Sequence, residues 1–106
     1  MINNERISMA LKFLTESDEP CANWKVEVAR KEYLCKVARA KIFHNIEGSV
    51  ESRKARAEID QDVFDAEEAR FMAMAEYEKM KAKRETEALV IEVWRTFSAN
   101  LRQGNL

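Results

Sequence analysis

A chain of 106 residues with 35% charged side chains, two Gly and one Pro has room for one modest core and too few turn formers for a sandwich or barrel. Its net charge of −1 selects no partner, and the expected fold is all-α over a single domain, residues 1–106. The charge is not spread evenly: residues 25–56 hold nine basic and four acidic side chains, and residues 57–78 hold one basic and eight acidic. Such blocks pair within a fold or between subunits, and a basic block also suits phosphate.

The opening MINNERISMALKFL carries Glu5, Arg6 and Lys12, which suits neither a secretory leader nor a membrane anchor. A cytoplasmic setting is the expectation. Asn4 is a good N-cap, and Ile7, Ala10, Leu11 and Leu14 recur at helical spacing, predicting a short helix from Asn4 to Thr15. TESDEP is expected to break it, with Ser17 or Asp18 capping a second helix and Pro20 in its first turn.

The second helix is predicted over Pro20 to Ile46. Trp24, Val28, Cys35, Ala38 and Ile42 form its apolar stripe, widened by Leu34, Val37 and Phe43, while Lys25, Arg30, Lys31, Lys36, Arg39 and Lys41 make the other side basic. Cys21 and Cys35 would lie about 21 Å apart along such a helix, against roughly 4.4–6.8 Å for a disulfide, so both read as free thiols. Gly48 suits a left-handed C-terminal cap and Ser49 the N-cap of the next helix. SVESRKARAEI is a short helix or the start of a longer one, and Asp60 is a possible cap.

From Gln61 to Leu101 there is no breaker, giving one long helix of roughly 60 Å. Its first half is sticky through Val63, Phe64, Phe71, Met74, Tyr77 and Met80. Its middle is charged, with Glu78–Lys81 and Arg84–Glu87 as i,i+3 pairs worth a few tenths of a kcal/mol each. Its end regains Ile91, Val93, Trp94, Phe97 and Leu101. No heptad is kept strictly enough for a simple parallel coiled coil, so the preferred arrangement is an antiparallel helical hairpin. Two helices bury little apolar area, which leaves aromatic side chains for self-association. Phe71, Met74, Val93, Trp94, Phe97 and Leu101 are the candidate oligomer seam. Gly104 and Asn105 then read as helix terminator and frayed tail.

Catalytic patterns are missing. His44 is the single histidine and has no Cys or second His at metal-ligand spacing. The acidic face of Glu58, Asp62, Asp65 and Glu68 lacks an accompanying base, and no Gly-rich phosphate loop occurs. The expectation is a non-enzyme with no cofactor and no metal. Basic residues near aromatics are better material: Arg53, Lys54 and Arg56 after the Gly48 turn, Lys79, Lys81, Lys83 and Arg84 on the long helix, and Arg95 and Arg102 around Trp94 and Phe97. A positive groove with stacking aromatics binds single strands without sequence readout.

The stretches GSVESRKARAEID, AEYEKMKAKRETEALVIEVWR and SANLRQGN resemble a family of small helical proteins of tailed bacteriophages, the UvsY-like recombination mediators. The resemblance covers about residues 10–105 and lies in helix length and charge pattern. It implies a ring-forming homo-oligomer that binds single-stranded DNA and helps a recombinase or annealing protein displace a single-strand-binding protein in the host cytoplasm. On it, Arg53, Lys54 and Arg56, with Lys36 and Arg39 of the second helix, become phosphate contacts; Lys81 and Arg84 are further candidates. Val93, Trp94, Phe97 and Leu101 become the subunit seam. The acidic block 57–78 must then face away from DNA or toward a basic partner. The alternatives are an adaptor or inhibitor of a host nuclease or repair factor without DNA contact, and a structural helical assembly factor.

Overall fold

The computed structural model describes residues 2–104; Asn105, expected to belong to a frayed tail, lies outside them. Three helices occur in order, α1 (Asn4–Asn45), α2 (Val50–Glu58) and α3 (Gln61–Arg102), and no strand occurs among the described residues. The all-α expectation holds.

The break at TESDEP does not occur. Helix α1 runs unbroken for 42 residues with Pro20 inside it, so the separate short N-terminal helix merges with the second. Proline removes one backbone donor and costs about 3 kcal/mol in a helix interior. Packing offsets it. Ser17 is buried, and Arg84 of α3 donates from Nη1 to the Leu14 carbonyl at 2.8 Å and to Ser17 Oγ at 2.6 Å, then from Nη2 to Asp18. Residues that would cap an isolated peptide are instead held in the helix by a side chain 66 to 70 positions away. The cap of α1 is also one residue earlier than expected: Asn3 Oδ1 accepts from the Arg6 N–H at 2.8 Å.

The two other boundaries obey local chemistry. Gly48 has φ 125, a backbone state in which any Cβ is strained. Ser49 Oγ accepts from the Ser52 N–H at 3.1 Å and starts α2. Asp60 Oδ1 accepts from the Asp62 N–H at 2.8 Å and starts α3. Gly104 at φ 72 closes α3, with its N–H bonded to the Leu101 carbonyl.

The chain divides into two compact units, one formed by residues up to Ala22 with those from Glu78 onward, the other by Asn23–Tyr77. In the first, Ile7 and Ala10 are buried, and Arg6 reaches Glu87 while Leu14 and Ser17 receive Arg84. Partners climb α1 as they descend α3, so these segments run in opposite directions. In the second, Cys35 of α1, Ala57 of α2 and Val63 and Ala73 of α3 are buried. Among the described residues half of the buried apolar side chains are alanines, so within each unit the helices meet closely but cover little apolar area.

Candidate interaction surfaces

In the Asn23–Tyr77 unit, Arg39 is the tie between elements. Its Nε donates to Glu58 at the end of α2 at 2.9 Å, and its Nη2 donates to Glu67 of α3 at 2.7 Å. Arg70 completes the set, donating to Glu67 Oε2 from Nε and Nη2 at 2.9 and 2.7 Å. The hydrogen bonds from Arg70, then from Arg39, hold the Glu67 carboxyl below the ordinary carboxylate range. Cys35 lies beside this cluster; burial, then the Glu67 charge, pushes its thiol up. A thiol with a raised pKa stays protonated at neutral pH and is a poor nucleophile.

Arg53 of α2 places its guanidinium 4.3 Å from the centre of the Phe43 ring, and its Nε is buried without a hydrogen-bond partner. A cation over an aromatic face is attracted by the ring quadrupole. Two of the five candidate phosphate contacts of this unit, Arg39 and Arg53, are therefore engaged in holding α2 against its neighbours. Lys36, Lys54 and Arg56 are exposed and form no ion pair among the described residues.

The other unit treats its two candidates differently. Lys81 is exposed, whereas Arg84 is half-buried and committed to Leu14, Ser17 and Asp18. The i,i+3 pairing expected of Arg84 with Glu87 is replaced: Glu87 takes Arg6 in a two-pronged bridge, Nη1 to Oε2 at 2.6 Å and Nη2 to Oε1 at 2.9 Å. Forked geometry at a buried carboxylate outcompetes an exposed local pair. Glu78 and Lys81 likewise form no ion pair with each other.

These bonds give folding a pH dependence. The Arg6 hydrogen bonds hold the Glu87 carboxyl below its ordinary range, as Arg70 and Arg39 do for Glu67. A lowered folded pKa adds stability that is complete above the unfolded value, about 4.3, and is lost as pH falls through the folded value. The melting temperature, measured by circular dichroism, should therefore be level near neutrality and drop below about pH 4.5. Glu87→Gln should reduce the acid slope; an unchanged slope would mean that the bridge to Arg6 does not form.

The candidate oligomer residues share one property, incomplete burial. Phe71, Val93 and Leu101 are exposed, and Met74, Trp94 and Phe97 are half-buried. Lys83 over the Phe13 ring, and Arg84 against Leu14, put the first residue of α1 level with about Val93, and α3 well beyond it, at Phe97 and Leu101, has no α1 helix alongside. Ile2 reaches a little further, sharing a recess of about 220 Å³ with Val93, Trp94 and Phe97. The C-terminal apolar face thus runs past the helix that would cover it.

A second set of exposed apolar side chains joins Leu34 and Phe64, which the sequence placed on apolar faces, with Val26, Tyr33 and Met72, which it did not. Val26, Tyr33 and Leu34 of α1 and Phe64 and Met72 of α3 are 58, 65, 42, 57 and 69% exposed. Their seven- and eight-residue spacing was the available signal. No group of three or more His, Cys, Asp or Glu able to hold a metal, and no helix long and apolar enough to cross a membrane, occurs among the described residues. Compared with protein-family models, curated proteins and solved structures, the chain matches none.

Proposed function

We propose that this chain is a non-enzymatic accessory protein that works as a homo-oligomer of helical hairpins and binds single-stranded DNA, in the manner of phage recombination mediators. One observation carries the oligomer. Among the described residues the buried apolar set is Ile7, Ala10, Cys35, Ala57, Val63 and Ala73, whereas thirteen large apolar side chains are exposed. A polypeptide with so small a core and so much uncovered apolar surface gains most by burying that surface against copies of itself. The seam of this reading is the end of α3, with Trp94, Phe97 and Leu101 at its centre and Val93 in support; Phe71 and Met74 lie in the other unit and would serve a separate contact.

The DNA part rests on Lys36, Lys54 and Arg56, which are exposed and unpaired in one unit, and on Lys81 in the other. Repetition around an oligomer multiplies contacts that are weak singly. A recombinase, annealing protein or single-strand-binding protein would be the functional partner. The adaptor reading, without DNA contact, draws support from Arg39, Arg53 and Arg84 being occupied within the chain.

Light scattering with and without a single-stranded oligonucleotide tests both halves. The expected outcome is a multimer that gains mass with DNA at low salt. A monomer at every concentration would end the oligomer reading; a multimer that never shifts DNA would leave the adaptor. Lys54→Ala/Arg56→Ala should reduce the slope of log affinity against log salt by about 1.4, since each phosphate contact to a single strand contributes about 0.7. An unchanged slope would exclude α2 as the contact.

A further inference from the structure

Two outward-facing stripes of the Asn23–Tyr77 unit are built alike. On α1, Val26 is succeeded four residues later by Arg30, then by Tyr33 and Leu34. On α3, Phe64 is succeeded four residues later by Glu68, then by Phe71 and Met72. Residues at i, i+4, i+7 and i+8 share one helix face. Each stripe is therefore a charge flanked on both sides by large apolar groups, with Arg at the centre of one and Glu at the centre of the other.

All the apolar members are more than two-fifths exposed, and Phe71 also meets the Arg70 guanidinium of its own helix, 4.6 Å from the ring centre. Tyr33 lies roughly 160° around the helix from buried Cys35, on the outer side of α1. Glu68 is exposed and forms no ion pair among the described residues. Among the described residues Arg30 forms one ion pair, with Glu27 at 3.5 Å and one helical turn away, an exposed contact that contributes little.

We infer that the Val26–Leu34 face of α1 docks on the Phe64–Met72 face of α3 in a second copy of this chain, with Arg30 against Glu68. Charge complementarity selects that occupant. Two α1 stripes would oppose Arg30 to Arg30, and two α3 stripes would oppose Glu68 to Glu68; only the unlike pairing joins opposite charges within an apolar surround. The surrounding segments agree, being basic over residues 25–56 and acidic over 57–78. Because each charge sits at the middle of its stripe, the match holds for either relative direction of the two helices. The acidic block that sits uneasily beside a DNA-binding segment thereby acquires a role, as the receptor for the neighbour's basic helix. Two different faces joined head to tail add copies until a ring closes or a filament grows. This seam rests on the proposed self-association and is separate from the end of α3.

The test is charge reversal with rescue by a second reversal. Arg30→Glu alone and Glu68→Arg alone each place like charges at the seam, which should weaken it roughly tenfold or more. By sedimentation velocity each variant should be smaller than the wild type at equal concentration, with unchanged helicity by circular dichroism. An equimolar mixture of the two restores unlike pairing only where the variants alternate, so the decisive rescue is the double variant Arg30→Glu/Glu68→Arg, which restores it at every contact and should regain the wild-type mass. Single variants that keep the wild-type mass, or a double variant that stays dissociated, would overturn the seam while leaving self-association intact. A wild type that is monomeric throughout would instead remove the reading on which it rests.

Discussion

Ala10→Leu lowers the melting temperature, by roughly 4–8 °C for each kcal/mol, and about 1–3 kcal/mol is expected of an overpacked site. Ala10 is 0% exposed, the most enclosed of the buried apolar side chains. The reason lies across the contact, not along the helix, because leucine is nearly as good a helix former as alanine. Three added carbons must push α3 away just where Arg6 and Arg84 bridge it. Leu11→Ala at the next position, 52% exposed, is the control and should shift stability by no more than about 0.5 kcal/mol. Circular dichroism melts of the two variants decide it. If Ala10→Leu melts with the wild type, the two helices do not meet at Ala10 and the placement of α1 in that unit is wrong.

The second large effect is on assembly. Trp94→Ala should convert the wild-type multimer to smaller species, with affinity reduced by about 2–4 kcal/mol, as for truncation of an aromatic anchor at the centre of an interface. Folding should survive, because Trp94 stands level with the very start of α1, with Ile2 as its neighbour across the recess. Mass by light scattering and helicity by circular dichroism separate the two effects. In a Trp24→Phe background, the emission of Trp94 should shift to the blue as concentration rises and the side chain leaves water. An assembled Trp94→Ala protein that has lost DNA binding would make Trp94 a base-stacking residue instead of a seam residue.

Much of the fold is legible in the residues. The scarcity of Gly and Pro, the charge content and the apolar spacing dictate helix, and Gly48, Ser49 and Asp60 mark both sharp boundaries because a left-handed backbone and side-chain caps are local chemistry. TESDEP misleads for the complementary reason. Its propensity favours a break, but the decision belongs to Arg84, whose bonds to Leu14 and Ser17 no window of local sequence contains. The same holds for the candidate cations. Lys36, Lys54, Arg56 and Lys81 carry their charge to the surface, whereas Arg39, Arg53 and Arg84 are drawn into bridges or onto a ring.

The sequence by itself determined that this chain is helical, where two of its turns fall and which residues are available as apolar or charged contacts. Periodicity and capping act within a few residues, so they can be read from neighbours alone. Only the tertiary structure decided that α1 is continuous through Pro20, that Glu87 answers Arg6 and not Arg84, and which apolar side chains remain uncovered. Those outcomes depend on groups up to 81 residues apart, where the strongest partner that geometry brings within reach prevails over the nearest one in the chain.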